Sequence, residues 1–488
     1  MLLAALRGFF ISLSASVSRL RLAALLGREP LSPNLPFESP AMKRPLSQFS
    51  RRDFLRLTAS SGVYLQTGWL LGCGGGANGS QPILRDPITG ERLVSNIANL
   101  SALGETDVFG VRVPEGFTVR RVAREGVPPI SGSEYLWHAK PDGGAVFAAP
   151  DGGWVYVSNC EVEDPNNTAG VGALRFDADG NLVDAYPILT GSTKNCAGGA
   201  TPWGTWLSCE ETESGYVYET YPLGTAEDAV KLPALGKFQH EAAAVDLLSD
   251  PMHIYMTEDQ RAEDNTGLGG GGFYRFVPDF NLTGPNGDPR PDLSSGTLEI
   301  AIVAPGDIFS PRSVVWVPVP DPEPIDIVQH DQVLIPTRFQ VPGSASFNGG
   351  EGIWYHTDRT IVFSTKGDNR LWRYDINAAT IQAIYDDDSS PDNILSAVDN
   401  VIMTPQGDVI VCEDGDDNQV VAITPEGRQV PMLQLVDQGE PAGPSFSPDG
   451  QRLYVNGYSG RSGPDEDRNR GATYEITGPW FVPESQLG

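Results

Sequence analysis

The 488-residue chain has only five cysteines and five histidines, and its 34 Lys/Arg stand against 63 Asp/Glu, a formal net charge of −29. That shortage of positive charge excludes nucleic acid as a partner, because no basic footprint exists to displace counterions from phosphates. No Cys-x-x-Cys and no His-x-x-x-His spacing occurs, which removes an ordinary zinc site. A Gly-x-Ser-x-Gly elbow, a Walker loop and a catalytic Cys with an obvious His partner are also missing. The glycine run 267–272 leads into the strand-like Phe273-Tyr274-Arg275-Phe276, so it reads as a loop between strands and not as a dinucleotide turn. Helical periodicity is almost absent, and no long Pro/Ser linker divides the chain.

What is present begins with an export pattern. Ser50-Arg51-Arg52-Asp53-Phe54-Leu55 has the form of a twin-arginine signal, read by the twin-arginine export machinery, and an apolar stretch from Leu57 to Leu71 follows it. That stretch is too short, and too interrupted by Thr58, Ser60, Ser61, Gln66 and Gly68, to span a bilayer. Leu70-Leu71-Gly72-Cys73 has the lipobox shape, in which Cys73 takes a lipid and becomes a membrane tether. The expectation is an exported protein, periplasmic or on the cell surface. Residues 1–41 then read as an over-extended gene start, 42–72 as the signal, 73–110 as a tether and lead-in, and 111–488 as one domain. Residues 1–72 hold nine Lys/Arg and three Asp/Glu, so the remainder carries a formal charge of −35. The four cysteines beyond Cys73, at 160, 196, 209 and 412, suffice for two disulfides in an oxidising compartment.

Short alternating runs punctuated by Pro and Gly fill the rest, as in Trp154-Val155-Tyr156-Val157 and Arg452-Leu453-Tyr454-Val455-Asn456. Segments 144–159, 399–414 and 442–457 repeat a strand, a Pro-x-Gly turn and a second strand. Segments 241–259 and 351–368 are looser copies, and another strand pair often follows, as in 172–188, 370–385 and 419–433. The pattern predicts an all-β fold, a β-propeller of about six four-stranded blades with loop insertions.

In a propeller, residues that start the first strand of a blade and end the second meet at one mouth of the central channel. First-strand starts here carry His240-Glu241, Glu351, Asp399-Asn400 and Glu440, and second-strand ends carry Asn159-Cys160-Glu161, Glu210-Glu211, Glu258-Asp259, Asp368 and Glu413-Asp414. So many carboxylates in one place repel one another unless cations neutralise them. Oxygen ligands suit calcium. The seventeen residues Asn195 to Glu211, NCAGGATPWGTWLSCEE, add the thiol of Cys196 to the same neighbourhood. A thiolate selects a transition metal such as iron.

The sequence resembles the PhoX-type alkaline phosphatases from Pro114-Glu115-Gly116-Phe117 to Gly478-Pro479-Trp480. The most specific likeness is Asn195-Cys196-Ala197-Gly198-Gly199 through Thr201-Pro202-Trp203-Gly204-Thr205-Trp206 to Cys209-Glu210-Glu211. Lys237-Phe238-Gln239-His240-Glu241, Thr257-Glu258-Asp259 and Cys412-Glu413-Asp414 support it. The resemblance implies a propeller phosphomonoesterase with an iron and calcium cluster, in which Cys196 binds iron and Glu258 and Glu351 are cluster carboxylates. Glu210, Glu211, Glu241, Asp259 and Glu413 are further metal candidates. Two departures stand out: Asn159-Cys160-Glu161 replaces an expected Asn-His-Glu, and Gly349-Gly350-Glu351 replaces an Arg-Pro-Glu whose arginine grips phosphate. Lys194, Arg261, Arg338, Lys366 and Arg370 are the cations available to substitute. The leading expectation is a metal-dependent phosphoesterase acting on a small phosphoester. A calcium-dependent lactonase-like hydrolase and a non-catalytic metal-binding surface lipoprotein are the alternatives.

Overall fold

The computed structural model describes residues 84–86, 89–163, 169–262, 269–284, 288–324, 335–390, 394–415, 417–436, 439–458 and 470–487. Arg51, Arg52 and Cys73 lie outside the described residues.

Among the described residues, five antiparallel four-stranded meanders follow one another along the chain, and a sixth is completed by a strand from its beginning. Blade I runs Pro141–Ala148, Trp154–Cys160, Ala169–Phe176 and Leu182–Ser192, and blade II runs Asn195–Ala200, Trp206–Glu210, Val217–Thr220 and Val230–Lys231. Blade III (His240–Asp246, His253–Glu258, Phe273–Pro278, Gly296–Val303) joins blade IV (Gly350–His356, Thr360–Thr365, Arg370–Asp375, Thr380–Asp386) through one extra strand, Arg312–Pro318, giving a nine-stranded sheet. Blade V is Val398–Met403, Val409–Glu413, Gln419–Ile423 and Gln429–Leu435, flanked by Val111–Arg112. Blade VI takes three strands from the end of the chain, Pro441–Phe446, Arg452–Gly457 and Ala472–Thr477, and its outer strand, Thr118–Arg124, from the beginning. Hydrogen bonds between the two ends of the domain therefore close the ring.

The first strands of the six blades pack side by side around the centre, each against the next. Their close approach explains the Gly and Ala in these strands. A Cβ on Gly199 would lie 1.9 Å from the Ala243 carbonyl oxygen, and one on Gly352 would lie 2.4 Å from the Val401 amide. Between blades the packing is aromatic: Phe273 stacks on Phe363 at 4.7 Å, and Tyr156 stacks on Tyr454 at 5.2 Å. Each such buried ring contributes roughly 1.5–3 kcal/mol.

Every first strand is bulged near its start, where the pairing shifts between Pro141 and Gly144, Asn195 and Gly198, His240 and Ala243, Gly350 and Ile353, Val398 and Val401, and Ala442 and Ser445. A bulge re-aims side chains. Here it turns the second residue of each first strand toward the mouth. On the opposite face lies the lead-in to the domain: Leu93–Ser95 pairs with Phe481–Pro483, and the Ser95 amide donates to Gln406 in the turn between the first two strands of blade V. No helix among the described residues is long and apolar enough to cross a membrane.

Candidate metal centre

The end of each second strand carries a three-residue code, and its parts face different ways. In order around the ring the triplets are Asn159-Cys160-Glu161, Cys209-Glu210-Glu211, Thr257-Glu258-Asp259, Ser364-Thr365-Lys366, Cys412-Glu413-Asp414 and Asn456-Gly457-Tyr458. The middle residue pairs with the start of the first strand, so strand alternation sends its neighbours to the other side.

The first residue of the triplet staples the next blade. Asn159 donates to the carbonyls of Cys196 (3.1 Å) and Ala197 (2.7 Å), and Thr257 donates to the carbonyl of Glu351 (2.6 Å). Ser364 donates to the Asp399 carbonyl and Asn456 to that of Asp142. Cys209 and Cys412 stand at the same position, buried.

The middle residue is a latch. Glu210 accepts the amides of Thr193 and Tyr216 at 3.1 Å each, and Glu413 accepts those of Ser396 (2.7 Å) and Gln419 (3.1 Å). Glu258 accepts the Gly272 amide and the Tyr274 hydroxyl, both at 2.8 Å, and pairs with Arg338 at 2.8 Å. These three glutamates are spoken for by hydrogen bonds that tie the blade together, and none belongs to the acidic groups described next. Cys160 occupies the latch position too, its sulfur held by the amides of Val162 and Gly170. The exchange of imidazole for thiol at 160 thus falls on a latch and not on the cluster.

The third residue faces the mouth. Glu161, Glu211, Asp259, Lys366, Asp414 and Tyr458 form an upper ring, over a lower ring made by the second residues of the first strands, Asp142, Cys196, Glu241, Glu351, Asp399 and Ala442. Two sets of ligand atoms come together across these rings. Glu161, Cys196 and Glu211 lie within 4.8 Å of one another, and so do Glu241, Glu351 and Asp399. Cys196 Sγ lies 3.4 Å from Glu241 Oε1 and joins the two. Of the metal candidates in the sequence, the structure therefore brings together Cys196, Glu211, Glu241 and Glu351, with Asp259 beside them, and holds Glu210, Glu258 and Glu413 apart. Asp142, Glu161 and Asp399 join the centre. The first of these was hidden in Pro141-Asp142-Gly143-Gly144, which has the composition of a turn.

The electrostatics call for cations. Glu241 and Glu351 are 0% and 2% exposed, yet Glu241 Oε2 and Glu351 Oε1 have no hydrogen-bond partner, nor has Asp259 Oδ1. A buried carboxylate left in this way costs several kcal/mol. Burial, followed by the charges of Glu351, Glu211, Asp399 and Asp142, pushes Glu241 well above the usual carboxylate range. Burial and the neighbouring acids do the same to Asp142 and Glu351, and burial lifts Glu211 to about 8 against the pull of Lys194. The Cys196 thiol is raised by burial and then by Asp142 and Glu241, so a bound cation is what would make it a thiolate. Orphaned buried oxygens facing a half-buried thiol fit a mixed metal centre, with oxygen for hard ions and sulfur for a softer one.

Three cations pair with carboxylates of the mouth, and a fourth, Lys140, lies over the ring of Tyr458 at 5.0 Å. Lys194 bridges Glu211 (2.7 Å) and Glu161 (3.5 Å), and Lys366 bridges Asp399 (3.0 Å) and Asp414. Arg261 is looser: its Nη2 is 3.7 Å from Glu351, its Nε 3.8 Å from Asp259, and 45% of its side chain is exposed. It also lies over Gly349, where a Cβ would come within 3.1 Å of its Nε. Arg338 and Arg370 are engaged elsewhere, Arg338 with Glu258 and Glu213 (3.0 Å), and Arg370 with Asp368 (2.6 Å) and Asp386 (2.8 Å). The four described cysteines are free thiols, so the two-disulfide arrangement is not formed.

The described residues form a β-propeller with a candidate metal centre of thiol and carboxylates at one mouth. The chain belongs to the alkaline phosphatase PhoX family, whose model matches residues 166–215, 212–385 and 376–460. PhoX of Pseudomonas fluorescens, solved with vanadate as a transition-state analogue, is similar in fold at 16% identity and a TM-score of 0.58, over 78% of this chain and 97% of that one. A putative gluconolactonase matches at 12% identity and a TM-score of 0.41, over 79% of this chain and 97% of that one. No curated protein matches the sequence.

Proposed function

We propose that the mouth is the active site of a phosphomonoesterase that works with bound iron and calcium, with Cys196 on iron and Asp142, Glu211, Glu241, Glu351 and Asp399 sharing the ions. The observation that carries this reading is the pair of buried, unpartnered oxygens on Glu241 and Glu351 beside the Cys196 thiol. Bound there, such ions supply the positive charge that draws phosphate oxygens into an acidic mouth and a hydroxide near neutral pH.

The chain's own residues do the rest. The staples from Asn159, Thr257, Ser364 and Asn456 hold the backbone under Cys196, Glu351, Asp399 and Asp142, so the ligand geometry is set before substrate arrives. Arg261, the loosest of the three cations, supplies the planar fork that suits two phosphate oxygens. It does so from the space above Gly349, where a side chain at 349 would otherwise project.

Export through Arg51-Arg52 and a lipid on Cys73 complete the proposal. The described lead-in lies on the face opposite the mouth, so a tether leaving from it would point the site away from the membrane. The test is hydrolysis of a chromogenic phosphomonoester, a phosphodiester and a lactone by metal-replete protein, with and without a chelator. Chelator-sensitive turnover of the monoester is expected. Turnover of the lactone alone, or of no ester, contradicts the reading.

A further inference from the structure

Resting on that reading of the mouth as a metal centre, we infer that Lys366 is a resident cation of the cluster, its ammonium standing where the other blades leave room for a divalent ion. In blades I, II, III and V the mouth-facing residue of the triplet is Glu161, Glu211, Asp259 or Asp414, a carboxylate in every case. In blade IV the same register position is a lysine, one residue beyond Thr365, which pairs with Gly350.

The ammonium does not reach for solvent. Only 19% of the side chain is exposed, its Nζ is 3.0 Å from Asp399 Oδ2, and it also touches Asp414. Glu351 and Glu440 lie close enough to add to the negative field around it. Asp399 is one of the three ligands of the second acidic group, so the lysine competes for a carboxylate that an ion would use. Meanwhile Glu241 Oε2 and Glu351 Oε1, on the Cys196 side of the same group, have no hydrogen-bond partner, Glu351 facing only the loosely held Arg261 at 3.7 Å. The Asp399–Asp414 side is thus closed by a covalently held charge, as Lys194 closes Glu161 and Glu211, while Glu241 Oε2 between them has no hydrogen-bond partner and is open to an ion.

Charge supports the same division. The described mouth holds nine carboxylates, Asp142, Glu161, Glu211, Glu241, Asp259, Glu351, Asp399, Asp414 and Glu440, against Lys140, Lys194, Arg261 and Lys366. An ammonium cannot be chelated away and needs no ordered shell of six to eight oxygens, as calcium does. Lys366 therefore keeps the blade IV–V side of the mouth assembled at low calcium, and it lowers the number of divalent ions the site takes.

The test compares wild type with Lys366→Met, which keeps the stem and removes the charge, and with Lys366→Arg, which keeps the charge. Each is reconstituted with ferrous or ferric iron and calcium and analysed by elemental metal-to-protein ratio. Lys366→Met is expected to bind one more calcium per chain than wild type with unchanged iron, and Lys366→Arg to match wild type. Equal calcium in wild type and Lys366→Met overturns the inference. Thermal unfolding against calcium gives a second readout should the methionine variant fold poorly: its melting temperature should climb more steeply with calcium than that of wild type, and parallel curves overturn the inference. If wild type itself binds no metal, the proposed function fails, a result separate from either outcome for the lysine.

Discussion

Asn159 in blade I donates both side-chain amide hydrogens across the blade boundary, to the carbonyls of Cys196 and Ala197, while its own Oδ1 accepts from Trp206 Nε1 (2.9 Å) and Ser208 Oγ (3.0 Å). The thiol is therefore aimed by its neighbour blade. Asn159→Ala should lower iron content several-fold at limiting iron. It should also cost about 1–3 kcal/mol of stability, because it leaves buried carbonyls unpaired. Elemental analysis and urea unfolding read the two effects, and full iron content in the variant would contradict the staple's role.

The latch and mouth glutamates should behave oppositely although they are adjacent in the sequence or occupy like positions. Glu413→Ala removes the acceptor for the Ser396 and Gln419 amides and should destabilise the protein by about 1–3 kcal/mol while leaving reconstituted metal content unchanged. Glu241→Gln removes a buried charge with an unpartnered oxygen, so the metal-free protein should be no less stable than wild type. Its metal content should fall. Denaturant unfolding with and without a chelator distinguishes the two patterns.

Arg261→Ala should raise KM for a phosphomonoester and lower kcat/KM by roughly 10- to 100-fold, the equivalent of one charge-assisted hydrogen-bonding group. Metal content should not change. An Arg261→Ala enzyme with wild-type KM would remove this residue from the phosphate grip.

His138 is half-buried, its Nε2 at 3.1 Å from Ser158 Oγ, and desolvation holds it down to about 3 from an ordinary value of 6.5. Its folded value is depressed, so the unfolded chain binds a proton that the fold does not. The stability it supports is complete above pH 6.5 and declines as pH falls toward about 3. Between pH 6.5 and 5, wild type should lose up to about 1.5 kcal/mol more than His138→Gln. Parallel losses in urea unfolding at the two pH values would contradict this.

Much of the architecture was legible. The strand, Pro-x-Gly turn, strand repeat at 144–159, 399–414 and 442–457 maps onto the inner hairpins of blades I, V and VI, and Asp399 at one of their ends joins an acidic group while Glu413 at another is a latch. The borrowed outer strand Thr118–Arg124 was not, because a strand donated from the far end of a chain has no local signature. Within the site, alternation implies that Glu210 and Glu211, or Glu413 and Asp414, point apart, but only the bulged register of the neighbouring strands decides which one faces the channel. Lys366 shows the other limit. In Ser364-Thr365-Lys366 nothing but position in the ring distinguishes a resident cation from a surface lysine.

Whether the thiol and the buried carboxylates hold metal together is measured directly by elemental analysis of folded, metal-replete wild type beside Cys196→Ser: wild type should carry iron with calcium, and the serine variant should lose the iron and phosphomonoesterase activity while remaining folded. Iron retained in Cys196→Ser, or a folded and active wild type free of bound metal, would contradict it.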